Sequence, residues 1–325
     1  MKAIVTGATG FLGSHLVKYL ENQGYQILAL GRNKDKGLKL NSSQTRFKVV
    51  DLTLGSHVIN AFETADVIFH CAAFSSAWGQ AQQFYLANVE ATRHVLNAAE
   101  YYNVKRCVYV SSTSVYFDFT DKFNIKENQV LTSGFVNEYA KTKYLGEQVM
   151  LNECRNTEVV IIRPRGIIGE GDTSIFPRIL ALLNKGVFPL LNQGQALVDI
   201  TYVKNVAHAL FLAGSKPDLH QQCFNISNAQ SMNVKTLIDT LIKHTNKSIT
   251  FLPVAYPLLY GLAGTLESFA KIFNTKEPLL TCYATGLLAK SQTLDISAAN
   301  NMLGYQPLYS LEHGIKQYFT SGSPC

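Results

Sequence analysis

Residues 6–13 read Thr6-Gly7-Ala8-Thr9-Gly10-Phe11-Leu12-Gly13, and the fold turns on this stretch. Ala3-Ile4-Val5 runs into it. A helical pattern runs out of it, with Leu12, Leu16, Tyr19 and Leu20 on one face and Gly24 at the end. Strand, glycine turn and helix follow one another here. The start of a helix carries unpaired N–H groups and the positive end of the macrodipole, so it attracts phosphate. Gly7 permits the tight turn, Gly10 lets a pyrophosphate approach the backbone, and Gly13 lets the helix pack closely. The spacing is G-x-x-G-x-x-G rather than the G-x-G-x-x-G of the standard dinucleotide fingerprint.

The same alternation continues outward. Short β-branched runs at 26–30, 47–50, 67–70, 106–110 and 159–162 are separated by helical patterns, among them 81–102 and 137–154. This predicts an α/β protein with a doubly wound, parallel Rossmann sheet. In such sheets ligands lie beyond the carboxyl ends of the strands. The polar clusters Gly31-Arg32, Asp51-Leu52, Cys71-Ala72-Ala73, Ser111-Ser112-Thr113 and Arg163-Pro164-Arg165-Gly166 all fall at such ends. The pattern loosens beyond Gly171. We expect a nucleotide-binding domain over 1–172, rejoined by about 198–228, and a smaller, mostly helical substrate region over 173–325.

The bulk numbers narrow the classes. The chain has 325 residues, 47% hydrophobic and 16% charged, enough for a large core. With 29 Lys plus Arg against 23 Asp plus Glu, the net charge is +6. That suits anionic ligands but is not the dense basic stripe of nucleic-acid binders. The six cysteines, at 71, 107, 154, 223, 282 and 325, form no C-x-x-C pair and no metal-ligand spacing. Reduced thiols and a cytoplasmic location are expected, with Cys325 exposed and no metal. Met1–Val5 is already a strand, so no signal peptide is read. Ser248–Leu266 carries no charge, but Pro253 and Pro257 interrupt it. It reads as a strand at 249–252 and then a helix over 257–273. That helix is expected to be buried or to cover the substrate with Leu258, Leu262, Leu266, Phe269 and Phe273, while Glu267 and Lys271 pair one turn apart. A weak contact of this helix with a membrane surface is the lesser alternative.

Tyr139 and Lys143 stand four residues apart on one helical face. A free phenol titrates near 10, and a cation fixed beside it favours the phenolate. A hydroxyl at the preceding strand end, where Ser111, Ser112, Thr113 and Ser114 cluster, can hold a substrate oxygen while Tyr139 moves its proton.

On these pieces the chain resembles the extended short-chain dehydrogenase/reductases. The matching motifs are TGATGFLG at 6–13, DL at 51–52, HCAA at 70–73, NVEATRHVL at 88–96, SSTSVY at 111–116, YAKTK at 139–143, RPRGIIGEGD at 163–172, DITYVKNVAHA at 199–209 and LGYQP at 303–307. The resemblance implies Ser112, Tyr139 and Lys143 as the catalytic set. It implies a cofactor held along Gly7, Thr9, Gly10, Phe11, Leu12 and Gly13, with Asp51 and Leu52 at the adenine. It also implies contacts from Cys71, Ala72 and Ala73, from Tyr139 and Lys143, and from Pro164, Arg165 and Gly166 around the nicotinamide. Asn88 is similar to a helix Asn that steadies the site. The loop 75–79 and the 163–172 motif resemble the branch of 3β-hydroxysteroid dehydrogenases, sterol-4α-carboxylate 3-dehydrogenases and bacterial 2-alkyl-3-oxoalkanoate reductases.

That branch implies a hydrophobic substrate, sterol-like or a β-keto/β-hydroxy acid, with one secondary alcohol or ketone. Ser75, Trp78, Thr113, Phe176 and Arg178 are its expected contacts, within an apolar surround that includes Phe188, Tyr256, Leu259 and Tyr260. Sugar-nucleotide dehydration is disfavoured, because Thr113 is followed by Ser114-Val115 and not by an Asp-Glu pair. Epimerisation with tightly held NAD stays open, with Arg165, Arg178 and Lys185 as cations for a diphosphate. A non-catalytic NADP-binding regulator is the non-enzymatic alternative. Arg32 and Lys34 after the second strand favour NADP over NAD, with Asp35 as the opposing group. The resemblance also implies a homodimer, made through the helices at 81–102 and 137–154.

Overall fold

The computed structural model describes residues 1–131, 133–245, 248–273, 276–278 and 280–321, so Cys325 lies outside the described residues. Seven strands form one sheet: β1 (Lys2–Thr6), β2 (Gln26–Gly31), β3 (Thr45–Val49), β4 (Val67–His70), β5 (Arg106–Val110), β6 (Glu158–Pro164) and β7 (Gln222–Ile226). Their order is β7-β6-β5-β4-β1-β2-β3, and every pairing is parallel. The run Ala3-Ile4-Val5 is fully enclosed because both faces of the sheet are covered. The strand order reverses between β1 and β4, and the glycine turn after β1 opens onto that crevice.

Helices α1 (Phe11–Asn22) and α4 (Val203–Ser215) pack on one face, through Leu16, Val17, Leu20, Val206 and Leu210. Helices α2 (Ala91–Tyr101) and α3 (Glu138–Glu153) pack on the other, through Val95, Leu96, Val149 and Met150. The single helix expected over 81–102 is broken into Ala81–Tyr85, a π turn at Leu86–Glu90, and α2. Such turns gather at functional sites, and this one carries Asn88.

The chain beyond Gly171 has its own core, built from Phe176, Leu180, Leu183, Phe188, Ile238, Leu241 and Tyr318. It is helical as expected, but three small sheets lie within and beside it. One has four strands, ordered Met232–Asn233, Leu197–Val198, Gln292–Leu294 and Lys122–Ile125. Strands this short leave little periodicity to read; a strand over 197–200 is nonetheless legible, and its first two residues form one here. Phe176 and Phe188 belong to this core and are fully enclosed, so they do not contact a substrate.

The apolar run resolves into a strand at Thr250–Val254 and helix α5 (Tyr256–Ile272). Of the two expectations for α5, burial or covering the substrate, burial is overturned. Leu258 is 71% exposed and Phe269 58%, and Leu262, Ile272 and Phe273 also face outward. Only Ala263 and Ala270 are buried. The helix docks through these two small residues and against α6 (Cys282–Ala289), leaving its apolar stripe on the rim. The expected Glu267–Lys271 pair is replaced as well. Glu267 accepts the Cys282 N–H at 2.7 Å, and Lys271 lies 5.8 Å from the Trp78 ring. Among the described residues no helix is long and apolar enough to cross a membrane.

Candidate active site

The turn after β1 is set by two glycines. Gly7 has φ +67°, and a Cβ there would meet the Ala72 nitrogen at 2.7 Å. A Cβ on Gly13 would meet the Gly7 carbonyl oxygen at 2.2 Å. A side chain at Gly7 would push the turn off the segment after β4, and one at Gly13 would push α1 off the turn. The Gly10 N–H donates to the Gly7 oxygen at 2.9 Å, and no side chain caps α1. The first-turn amides of Phe11, Leu12 and Gly13 therefore remain available to a phosphate. Thr9 packs against Gly31, where a Cβ would come within 2.8 Å of its hydroxyl.

Along the adenosine side, Arg32 follows β2 and is exposed. Asp51 accepts from the Thr53 N–H at 2.9 Å and the Thr53 hydroxyl at 2.8 Å. These bonds, with Arg32 adding its charge, hold the Asp51 carboxyl below the usual range. Leu52 beside it is core. Lys34 and Asp35 sit on the short helix Lys34–Leu38, capped by Asn33. Cys71 and Ala72 are part-buried and Ala73 is exposed after β4. Burial pushes the Cys71 thiol up to about 12, so it stays protonated. The uncapped helix, the close glycine turn and the cationic end of β2 fit a dinucleotide.

The other half of the site is built from β5 and α3. Ser112 has extended backbone, and its Oγ accepts the Ser114 N–H at 3.2 Å, which fixes the turn leaving β5. Asn137 caps α3 by accepting the Ala140 N–H at 2.8 Å, and its own Nδ2 is enclosed with no partner among the described residues. Tyr139 follows in the first turn. Burial raises its phenol pKa, while hydrogen bonding from the Ser112 and Ser75 hydroxyls pulls the other way. The structure thus brings Ser75, Ser112 and Tyr139 together.

Lys143 is placed differently from expectation. Its side chain is almost fully enclosed, with Nζ 4.0 Å from the centroid of the Tyr109 ring. Burial pushes the ammonium down to about 7, opposed by the Glu147 carboxylate one turn further along α3. In this arrangement its neighbours are Tyr109, Cys71 and Glu147, and the Tyr139 phenol is raised rather than lowered. The i,i+4 spacing gave the shared face but not the depth to which the ammonium sinks.

Several groups lie beneath these residues, and of them only Asn88 was singled out in the sequence. His70 lies between the Thr6 hydroxyl at 2.7 Å and the Thr92 hydroxyl at 3.0 Å, and burial pushes it down to about 3. It is neutral at physiological pH. Asn88 accepts the Phe74 N–H at 2.7 Å and donates to the Thr142 hydroxyl at 3.0 Å, tying the β4 loop to α3. Arg163 makes a two-point contact with Glu147 at 2.7 and 2.6 Å. It also donates to the Tyr116 hydroxyl at 2.7 Å. Glu147 stands four residues after Lys143, so its shared face was open to reading. Tyr109 was hidden among the apolar residues of β5.

A cleft of about 1010 Å³ opens between α3 and α5, lined among others by Trp78, Phe135, Asn137, Tyr144, Lys271 and Tyr283. Tyr283 extends the site inward, within electrostatic reach of Tyr139 and Arg165. Of the expected substrate contacts, Ser75 and Trp78 are at this cleft or at Tyr139. Thr113 turns inward and donates to the Pro164 carbonyl at 3.4 Å. Arg178 pairs with Glu277 at 2.9 Å. Pro164 ends β6, and Gly166, with φ +40°, carries the chain past the buried Arg165. A smaller hollow of about 250 Å³, lined by Lys2, Gln26 and Thr45, lies at the amino-terminal ends of β1, β2 and β3 and touches none of these groups. Among the described residues no three His, Cys, Asp or Glu converge as a metal site would require.

This geometry agrees with the comparisons to known proteins. A model of the NAD dependent epimerase/dehydratase family matches residues 3–227. The chain belongs to that family. It is 35% identical to the uncharacterized protein YbjS of Escherichia coli, over 98% of this chain and 96% of the relative. It is 29% identical to the 2-alkyl-3-oxoalkanoate reductase of Shewanella oneidensis, over 97% of this chain and 84% of the relative. In fold it resembles the UDP-glucuronic acid 4-epimerase of Bacillus cereus, solved with UDP-glucuronic acid and NAD. That match has a TM-score of 0.78 and 22% identity, over 99% of this chain and 98% of the other. The family is NAD-dependent, and this relationship carries the Rossmann sheet and the extended short-chain dehydrogenase/reductase motifs with it.

Proposed function

We propose that the chain is an oxidoreductase, NADP-preferring, that interconverts a secondary alcohol and a ketone on a hydrophobic substrate. One observation carries the reading: the Ser112 and Ser75 hydroxyls lie near enough to the Tyr139 phenol to oppose its upward shift, and Asn137 and Glu138 just before it line an aromatic cleft. Gly7–Gly13 would hold the pyrophosphate, Asp51 the adenosine, Arg32 a 2′-phosphate, and Lys143 the ribose. A bound nicotinamide would supply or accept the hydride at its C4. Ser112 orients the substrate oxygen. Tyr139 delivers a proton to that oxygen in reduction and removes one in oxidation. A phenol raised by burial is well suited to the donating role, since it stays protonated at neutral pH. The similarity to a 2-alkyl-3-oxoalkanoate reductase over nearly the whole chain supports an apolar keto substrate.

Tyr139→Phe removes the proton and leaves the ring. It should lower the chemical rate about 10²-fold or more while NADPH affinity stays within twofold. Single-turnover rates and fluorescence titration measure the two. Unchanged turnover would falsify the assignment. Purified protein that retains stoichiometric NAD and inverts a UDP-sugar would replace this reading with epimerisation. A dimer formed through α2 and α3 belongs to the same reading, and a monomer by light scattering would remove it.

A further inference from the structure

Lys143 is 1% exposed, yet its ammonium has no carboxylate to itself. Glu147, one turn along α3, is held at both oxygens by Arg163. Among the described residues the Lys143 Nζ donates no hydrogen bond, and what lies against it is the face of the Tyr109 ring, 4.0 Å away. The sequence builds this contact. Cys107 and Tyr109 alternate with Val108 and Val110 along β5, so Tyr109 faces α2 and α3 and is fully enclosed there. Gly146 comes three residues after Lys143. A Cβ at Gly146 would meet the Asn88 carbonyl oxygen at 2.8 Å and would collide with the Tyr109 hydroxyl. The missing side chain lets α3 come down onto β5, and with it Lys143 comes down onto the ring.

An ammonium out of water sheds its proton unless something offsets the lost hydration. A ring face does so through its quadrupole, most strongly where water is absent. The groups around Lys143 leave it alone to change charge near neutral pH. His70, with its ring 5.5 Å from that of Tyr109, titrates near 3 and is neutral. Burial pushes the Cys71 thiol up to about 12 and raises the Tyr109 and Tyr139 phenols. Glu147 and Arg163 are paired with each other. Lys143 itself is pushed down to about 7, so a modest change in its surroundings decides whether it is charged.

We infer that Tyr109 is a positioning residue: its ring face seats the Lys143 ammonium and keeps it charged for the sugar hydroxyls of the cofactor. This rests on the oxidoreductase reading, which gives Lys143 the ribose, and extends it to a residue enclosed beneath the site. The ring does this, and the Tyr109 hydroxyl does not, because the cation lies over the ring centroid.

The test uses the full chain labelled with ¹³Cε-lysine and followed by NMR, with the Lys143 signal identified by its loss in Lys143→Met. In the wild type that signal should titrate at about 7. Tyr109→Phe keeps the ring and should titrate within about 0.3 pH units of the wild type. Tyr109→Leu removes the ring and should titrate about one pH unit lower, because only the charged form loses a partner. NADPH affinity, read by fluorescence, should follow the charge. Tyr109→Leu should bind NADPH about fivefold or more weakly than the wild type at pH 7.5, and within about twofold of it at pH 5.5, where both proteins hold the proton. Should Tyr109→Leu fail to fold, Tyr109→Met puts a longer apolar chain in the space without a ring and carries the same expectations. An unshifted Lys143 in the Leu or Met variant overturns the inference. So does a Tyr109→Phe variant that shifts as far as Tyr109→Leu, or an NADPH deficit that is equal at the two pH values, which would make Tyr109 a packing residue only. A shifted Lys143 in a chain that binds no NADPH supports the seat and sinks the oxidoreductase reading.

Discussion

The two helices that wall the cleft treat water in opposite ways. Helix α3 faces the cleft with Asn137, Glu138, Lys141 and Tyr144 at its start, and it buries Lys143 and Glu147 almost completely. Helix α5 faces the cleft with Glu267, Ala270 and Lys271, and it turns Leu258, Leu262 and Phe269 out to solvent. The usual rule puts the charges outside and the leucines inside. Its reversal on α3 is affordable only because each buried charge has a partner on another element: Arg163 from β6 for Glu147, and the Tyr109 ring from β5 for Lys143. Its reversal on α5 needs no partner, since exposed apolar groups cost little. The comparison separates a helix that buries paired charges from one that only roofs the cleft.

The sharpest way to break the comparison is to remove one buried partner. Glu147→Gln leaves the Arg163 guanidinium enclosed opposite a neutral amide. Stability should fall by about 3–5 kcal/mol, read by urea unfolding, because an uncompensated buried charge is far worse than none. Combining it with Arg163→Met should recover much of the loss, because the pair fails as a unit. A loss below about 1 kcal/mol in the single variant would show that the network on α3 is no more demanding than a surface pair.

A second test asks whether the floor under α3 stays uncharged. His70 titrates near 3 in the fold against an ordinary value of 6.5. Between those values the unfolded chain takes up a proton that the folded chain refuses. Stability is therefore complete above about pH 6.5 and falls as the pH drops toward 3. His70→Asn should be less stable overall. It should also flatten the pH dependence in this window by about 1.4 kcal/mol per pH unit, the equivalent of one proton. Parallel curves for the two proteins would mean that His70 is protonated in the fold.

Much of this was open to reading before any coordinates. The sheet was legible because Ala3-Ile4-Val5, Val67-Ile68-Phe69 and Val159-Val160-Ile161-Ile162 are short runs buried on both faces. The same logic of strand ends marked the hydroxyl cluster at 111–114, from which the resemblance singled out Ser112, while the four-residue spacing to Lys143 set Tyr139 on a helix. The partners beneath them were not legible, because they are long-range. Arg163 and Glu147 pair across 16 residues and His70 and Thr6 across 64, and no local period announces either. Phe176 was misplaced for a related reason. An aromatic in an apolar helix looks the same whether it meets a ligand or Tyr318, 5.1 Å away between ring centroids. The misreading of α5 has a different cause. An apolar stripe states that a face is greasy, and not whether the helix lies over a core or on a rim.

That last point carries the smallest expected effect. Leu258→Ser and Phe269→Ser together remove two large apolar groups from α5. In a buried helix such changes would cost several kcal/mol. Here both side chains are mostly exposed, so the expected loss is within about 0.5 kcal/mol for each. The contrast is with Ala270→Leu, on the docked side of the same helix. Ala270 is 4% exposed and lines the cleft, so the added methylenes must displace its neighbours, at about 1–3 kcal/mol. Urea unfolding of the two variants side by side ranks them. If the double serine variant is the less stable of the two, the stripe on α5 is covered in solution, and the distinction between the two helices falls.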